Sequence, residues 1–359
     1  MHLTTFGMDR EIVMGLDLGT RKTHVCVLRD GERLEEFAIP TDLEVFRARF
    51  GARDRCRVVM EAGKVSPCVS WLLADLGYQV FVADSRRLPT NMRGPYKNDK
   101  NDARFLATVL EDSNGRLRTI QHRCRKTLEN LAVIRSRDEL VRLRTAMANS
   151  LQGICATHGV KIPRASTGSY RTKILPAVPG ELQSALTPMI ESMDQLTRSI
   201  RELEASIERI SQEQYPVTTV FRQIKGVGPI TALAFALIVE DPSRFARNRG
   251  VGPYLGLVPR QEQSGPYRPQ LGISKAGDPL LRRLLIQCAH HILGRFGQDS
   301  DLRRFGQSLM KRGGKSAKKR AVTAVARKLA VLLLALWKTG EVYEPLRRAR
   351  LFGEISEVA

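Results

Sequence analysis

Short apolar segments that end in an acidic residue constrain the fold of this chain more than any other feature. Residues 12–16 are apolar and precede Asp17, and residues 58–60 are apolar and precede Glu61. Short β-branched runs predict buried strands, and neighbouring strands can deliver their last residues to one edge of a sheet. Gly15 and Gly19 flank Asp17 and would let a backbone or a phosphate approach closely.

A second acidic pair, Asp99 and Asp102, lies at the predicted start of a helix. A spacing of three residues places both side chains on one helical face. Hard divalent cations prefer oxygen ligands, and two such ions can stabilise the attacking and leaving oxygens of a phosphoryl displacement. Asp17, Glu61 and this pair therefore predict a nuclease-type metal site. Taken singly, each acid is more simply a surface charge, and the helical pair also suits a helix dipole.

The order of elements predicts the fold class of the first part of the chain. Apolar alternation and turn residues predict strands at 12–18, 23–29, 33–39, a run ending at 61 and 79–83, and helices at 43–50 and 66–76. Three strands followed by alternating helices and strands predict a mixed α/β sheet covered by helices, as in the ribonuclease H-like fold.

The middle of the chain has a different pattern. Apolar residues spaced by three and four form a seam of Met193, Leu196, Ile200, Leu203, Ile207 and Ile210. Such a heptad seam predicts a coiled coil. The preceding segment, 133–154, is a weaker candidate because Arg137 and Arg144 interrupt its second seam. Two interpretations stay open, namely an intermolecular coil that assembles the protein and a helical hairpin that packs on itself.

These patterns predict three domains. A mixed-sheet domain spans residues 1–122, a coiled-coil helical region spans 123–218, and a mostly helical C-terminal domain spans 219–359.

The charge of the chain predicts its partner. The sequence has 58 Lys and Arg against 37 Asp and Glu, a formal net charge of +21 and a pI near 10.2, which favours binding to nucleic acid. Residues 303–328 contain ten Lys or Arg and no acid, among them Lys318, Lys319 and Arg320. This run predicts either phosphate contacts or a solvated basic linker.

Two motifs of the C-terminal part suggest further contacts with nucleic acid. Gly226 and Gly228 lie in an apolar-Gly-apolar-Gly pattern, which is typical of a helix-hairpin-helix phosphate site and also of ordinary tight turns. Ser264 precedes Gly265 in a segment rich in basic residues, including Lys275, Arg282 and Arg283. A serine in such surroundings is a candidate nucleophile for a phosphodiester. From the pattern alone, Ser274 is an equal candidate.

Other sequence features bear on location. No apolar run reaches the roughly 20 residues that span a bilayer, and the N-terminus has no secretory pattern. We therefore expect no membrane partner and a cytoplasmic protein. The six cysteines form no Cys-x-x-Cys pair, which predicts reduced core residues.

The motifs together resemble the DEDD transposases of the insertion-sequence-110 type, a family of bridge-RNA-guided recombinases. The resemblance rests on Gly-Leu-Asp17, Met-Glu61-Ala, Lys97-Asn-Asp99-Lys-Asn-Asp102, Gly226-Val-Gly228, Tyr254-Leu-Gly256-Leu-Val-Pro259, Ser264-Gly265 and Ile273-Ser-Lys275-Ala-Gly277. Family members often have Thr at the position of Asn98 and Asn at that of Asp278. These differences leave the four acids and Ser264 in place.

The resemblance implies a RuvC-like domain, a coiled coil and a C-terminal transposase domain with a catalytic serine. By position, Asp17, Glu61, Asp99 and Asp102 would bind Mg²⁺, and Ser264 would form a phosphoserine link to DNA. The implied partners are double-stranded DNA of the element and its target, a structured noncoding RNA, and further copies of the chain in a dimer or tetramer with composite active sites. An unguided invertase or junction nuclease with the same acids, and a non-catalytic nucleic-acid-binding protein, remain alternatives.

Overall fold

The computed structural model describes residues 12–88, 99–112, 117–262 and 271–347. The chain divides into two compact units, Met1–Cys124 and Arg125–Ala359. The division into three domains, with boundaries after residues 122 and 218, stays a prediction.

The first unit is built on a mixed β-sheet. Its six strands are β1 (Val13–Leu18), β2 (Lys22–Arg29), β3 (Glu32–Pro40), β4 (Arg57–Glu61), β5 (Gln79–Ala83) and β6 (Thr119–Ile120). The spatial order is β3-β2-β1-β4-β5-β6. β1, β2 and β3 pair antiparallel, β4 joins β1 and β5 in parallel, and β6 is antiparallel to β5. The mixed α/β sheet is thus confirmed, with β6 added to the predicted strands.

Helices cover both faces of this sheet. They are α1 (Leu43–Gly51), α2 (Ser66–Asp75) and α3 (Asp99–Asp112). Met14 and Leu16 of β1 share a core with residues of α1 and α2, whereas Val13 shares a second core with residues of α3. This alternation follows from the pleat of the strand, which points successive side chains to opposite faces. Each face of β1 therefore contacts its own helical layer.

The second unit is helical among its described residues. It contains α4 (Arg125–Thr157), α5 (Tyr170–Lys173), α6 (Gly180–Gln214), α7 (Val217–Arg222), α8 (Pro229–Val239), α9 (Val251–Tyr254), α10 (Pro279–Leu293), α11 (Asp301–Lys311) and α12 (Ala317–Thr339). Its main core surrounds α8, in which every residue from 231 to 239 is buried. Among the described residues, no helix combines the length and apolar character needed to cross a membrane.

The two long helices α4 and α6 form an antiparallel hairpin. Leu131 near the start of α4 shares a core with Ile207 near the end of α6, whereas Leu151 near the end of α4 shares another with Ile190. Between these cores the contacts are polar. Arg137 forms an ion pair with Glu204, and Arg144 donates a hydrogen bond of 3.1 Å to Thr197.

This hairpin bears on the predicted seam. Met193, Ile200, Ile207 and Ile210 are all buried within a single chain. The geometry therefore favours the helical hairpin over a seam left open for a second chain. An intermolecular coiled coil stays a prediction without support from these contacts.

All six cysteines lie in the described part of the chain, and no disulfide joins them. Cys26, Cys155 and Cys288 are buried, as predicted for core residues. Cys124 is exposed, so the prediction was wrong at that position. It follows the two-residue strand β6 and precedes α4, at the junction of the two units, where no core encloses it.

Candidate active site

Parallel pairing brings two of the predicted acids to the same edge of the sheet. Leu16 of β1 lies opposite Met60 of β4, so the next residues, Asp17 and Glu61, follow at the same strand ends. Val13 and Val59 belong to the core beneath α3, and each is an even number of residues from the acid on its strand. Strand alternation therefore directs both acids to the face that α3 covers.

Helix α3 supplies the second acidic pair from the same face. Asp99 and Asp102 both lie in its first turn, as predicted. Ala103 and Ala107 of this helix pack directly on β1, because Gly15 has no side chain. A Cβ at Gly15 would lie 2.1 Å from the carbonyl oxygen of Ala103 and 2.5 Å from the amide nitrogen of Ala107. The close approach predicted at Gly15 is thus that of the α3 backbone.

The electrostatics of Asp17 indicate that the four acids are near one another. Burial, followed by the negative charges of Asp99 and Asp102 and a smaller effect of Glu61, raises its pKa from 3.8 to about 6. Burial disfavours the charged carboxylate, and nearby like charges do the same. Asp17 is thus held in surroundings that a cation would stabilise.

His24 is a member of this cluster that sequence reasoning missed. It lies directly opposite Asp17 across the β1–β2 pair, and its Nε2 is 3.7 Å from Oδ2 of Asp99. An imidazolium at this position acts against the rise in the pKa of Asp17. The signal was available in the sequence, because the tight turn at residues 19–21 fixes the register that pairs the two positions.

The donor set fits a hard divalent cation, which takes carboxylate oxygens as ligands. Mutual repulsion at Asp17 provides the structural evidence for this fit. Within the ranges that the structure describes, however, no three His, Cys, Asp or Glu side chains are gathered in a ready-made ligand set. The side chain of Asp99 is largely exposed, and its Oδ2 faces Nε2 of His24.

The predicted nucleophile, Ser264, lies outside the described residues. The residues on either side of its segment are described and pair with each other. Pro259 and Ile273 form an antiparallel bridge, and the amide of Arg260 donates a hydrogen bond of 2.8 Å to the carbonyl of Gly272. The alternative serine, Ser274, donates its amide to Val258 at 2.8 Å, as expected of a residue that shapes the loop.

Gly226 and Gly228 form the turn between α7 and α8. Gly226 has a left-handed backbone with φ of 105°, and a Cβ there would lie 3.0 Å from Nδ1 of His291. Gly228 caps the N-terminus of α8 and is exposed, whereas the body of the helix is buried. The turn is therefore structurally required, and its exposed helix start is compatible with the predicted phosphate contact.

The basic candidates fall into two groups. Lys275, Lys318, Lys319 and Arg320 are exposed, and Lys275 has an unusual left-handed backbone with φ of 55°. By contrast, Arg282 and Arg283 have protein partners. Arg282 donates to the carbonyls of Leu255 and Ala276 at 3.1 and 2.8 Å, and Arg283 is paired with Asp138.

These partners show a structural role for Arg282 and Arg283. Arg282 holds together the segments that end in Leu255 and Ala276, and Arg283 ties α10 to α4. The sequence shows only that basic residues start α10. It does not show that both contact protein groups, and their role with nucleic acid stays a prediction.

Comparison with known proteins gives the family of the chain. A model described as the transposase IS116/IS110/IS902 family matches residues 218–307, and a model of DEDD transposases of the IS110 type matches residues 14–157. The second match begins within β1, extends past β6 and includes the four acids. Transposases of the DEDD class normally use divalent metal ions.

Individual relatives agree. The transposase for insertion sequence element IS1111A of Coxiella burnetii is 31% identical over 256 residues, which cover 69% of this chain and 68% of that protein. A probable family 20 transposase of Pseudomonas aeruginosa is 29% identical, and the matched region covers 96% of this chain and 100% of that protein. The transposase for insertion sequence element IS1328 of Yersinia enterocolitica is 28% identical over 300 residues.

The sheet with its acidic edge and these similarities define the class of the protein, a DNA transposase. More narrowly, the chain belongs to the IS110/IS116/IS902 family of insertion-sequence transposases. Its enzymatic activity is thus the recombination of an insertion sequence with DNA.

Proposed function

We propose that this transposase holds Mg²⁺ on Asp17, Glu61, Asp99 and Asp102 in a ribonuclease H-like domain of the RuvC type. The observation that carries the proposal is the pKa of Asp17, which burial and three neighbouring acids raise to about 6. When bound, the ion polarises the scissile phosphate and offsets charge that develops on its oxygens. The strands fix Asp17 and Glu61, and the first turn of α3 brings the other two acids.

The second part of the proposal concerns Ser264. Its Oγ forms a bond to phosphorus as the bond from phosphorus to the leaving deoxyribose oxygen breaks. The serine hydroxyl loses its proton, and the leaving oxygen gains one. One phosphodiester is exchanged for another, so the strands can be rejoined without an external source of energy. Support comes from the family resemblance at Ser264 and from the paired residues that close its segment, Pro259 and Ile273.

The partners are part of the same proposal. We infer that the enzyme binds double-stranded DNA of the element and of the target, guided by a structured noncoding RNA, in a dimer or tetramer with shared active sites. The net charge of +21 supports binding to polyanions of both kinds. Sequencing of RNA that copurifies with the protein tests the guide, and a single enriched structured RNA is the expected result.

A suicide substrate tests the serine directly. A nucleophilic serine leaves protein attached to DNA, whereas a metal nuclease that activates water leaves free ends. Incubation with Mg²⁺, the copurified RNA and a nicked DNA substrate should give an adduct that survives denaturation and disappears on proteolysis. The peptide attached to DNA should contain Ser264.

Two alanine variants complete the test. Ser264→Ala should lose the adduct and keep RNA binding, because the change removes one hydroxyl and no charge. Ser274→Ala should keep the adduct, since the Ser274 amide contact with Val258 uses only the backbone. Cleavage by Ser264→Ala at the wild-type rate with free ends would favour an unguided junction nuclease or invertase that uses the same acids.

A further inference from the structure

A cavity of about 760 Å³ lies in the second unit. It is bounded by α12, by Phe305 of α11 and by the bridged strands at Pro259 and Ile273. This volume lies within the roughly 300–1,000 Å³ that is typical of sites for small molecules and cofactors. The cavity is therefore large enough for one nucleotide and too small for a duplex.

The charged residues that line the cavity, in the part of the chain that the structure describes, are all basic. They are Arg249, Lys319, Arg320, Arg327 and Lys328. Clustered cations repel one another, and a bound anion would relieve this repulsion. Within the described ranges, no hydrogen bond or ion pair engages the side chains of Arg249, Lys319 or Arg327. Their charges are available to a ligand.

The two remaining cations are directed by the protein. Arg320 donates a hydrogen bond of 3.2 Å to the carbonyl of Gly313, and Nζ of Lys328 lies 4.4 Å from the centre of the Phe305 ring. The Lys328 contact holds a charge beside an aromatic ring at the cavity wall. This pairing is suited to a ligand that has both an anionic and a flat aromatic part.

The floor of the cavity is apolar. Leu257, Ile273, Phe305 and Val331 contribute to it, and Leu257 is almost fully buried. An apolar pocket wall accepts the face of a nucleobase, because every base has a π surface irrespective of its identity. A free phosphate would satisfy the rim and leave this floor exposed to water. The combination therefore favours a whole nucleotide over an inorganic anion.

We propose that this cavity binds one unpaired nucleotide of a DNA or RNA strand, with its base on the apolar floor and its phosphates on the rim. The proposal rests on the established family, whose members act on DNA, and it is independent of Ser264, of the four acids and of a guide RNA. A base that enters such a pocket must leave its stack, as in enzymes that extrude single nucleotides.

Strands with and without bases separate this site from general electrostatic attraction. The full-length protein is titrated by fluorescence anisotropy with a twelve-nucleotide thymidine strand and with an abasic strand of equal charge. We expect the wild type to bind the thymidine strand at least roughly fivefold more tightly, from stacking of one base. A uridine strand of equal length shows whether DNA or RNA is preferred, and a duplex should gain nothing from the cavity.

Two kinds of variant test the two parts of the cavity. Ala324→Trp fills it without changing charge, so the advantage of the thymidine strand should disappear while the abasic strand binds as before. If thermal unfolding shows that Ala324→Trp does not fold, Val331→Trp fills the cavity from the same wall and takes its place in the test. Arg249→Gln combined with Lys319→Gln should weaken both strands roughly tenfold at 0.2 M salt and reduce the salt slope by roughly 1.4.

A matched pair of exposed lysines provides the control. Lys311→Gln combined with Lys315→Gln removes the same number of positive charges from exposed positions, but neither residue lines the cavity. The advantage of the thymidine strand should stay at the wild-type value. The proposal is overturned by equal wild-type binding of the two strands, or by a folded tryptophan variant that keeps the full preference.

Discussion

Replacing Asp17 by asparagine should stabilise the metal-free protein while removing its response to a divalent cation. Burial and the negative charges of Asp99, Asp102 and Glu61 raise the pKa of Asp17 from 3.8 to about 6. A raised pKa means that the folded protein binds the proton more tightly than the unfolded chain does. The free energy of unfolding therefore falls as pH rises from about 4 to about 6, and stays lower above pH 6.

The pKa values set the magnitude. A carboxyl whose pKa rises from 3.8 to about 6 destabilises the fold at neutral pH by at most about 3 kcal/mol. Asp17 is only partly buried, so solvent screening reduces this to about 1–2 kcal/mol. Asparagine has no charge to repel. At pH 7.5 in EDTA, Asp17→Asn should unfold at a higher temperature, by roughly 4 °C per kcal/mol.

Mg²⁺ should reverse this order. Binding to the native state alone stabilises the wild type by about 2.7 kcal/mol at a hundredfold excess over Kd. The variant lacks one of the four ligands and should gain much less. Thermal unfolding with and without Mg²⁺, repeated at pH 4, measures both effects, and the EDTA advantage should vanish at the lower pH.

Asp54→Asn is the matched control. Asp54 is exposed and precedes β4, at the opposite end of the strand from Glu61, so its replacement should change neither the stability in EDTA nor the response to Mg²⁺. A metal-free Asp17→Asn protein that is less stable than wild type at pH 7.5 would refute the repulsion argument. It would show that the Asp17 carboxylate contributes more as a hydrogen-bond acceptor than it costs as a charge.

Two other changes test how the fold supports the site. Gly15→Ala places a Cβ 2.1 Å from a backbone oxygen of α3, so the helix must shift. We expect the free energy of unfolding to fall by about 1–3 kcal/mol and the stabilisation by Mg²⁺ to weaken in thermal unfolding. A Cβ at Gly51 would have no atom within 4 Å, so Gly51→Ala should match wild type. Glu at both Ile200 and Ile207 buries charge in the α4–α6 hairpin, so circular dichroism should show partial unfolding. A folded variant with a smaller oligomer by light scattering would instead restore the intermolecular coil.

The strands of the first unit were predictable because local signals agree there. Apolar alternation and turn residues place β1 to β5 within a few residues of their observed bounds. β6 has two residues, both exposed, and leaves no periodicity to detect. The register of β1 with β4 then follows from which face must be buried, and this register brings Asp17 and Glu61 to one edge.

The contacts of the second unit depend on residues that are distant in sequence. Arg282 and Lys319 look equivalent as letters in a basic segment, but Arg282 is bonded to two backbone carbonyls and Lys319 lines an open cavity. Local pattern carries no information about which carbonyls are close to which guanidinium, because those carbonyls belong to segments joined only by tertiary packing. Charge alone therefore predicts that nucleic acid is bound, and the cavity that α12 and Phe305 line together with Pro259 and Ile273 is needed to predict where a single nucleotide would lie.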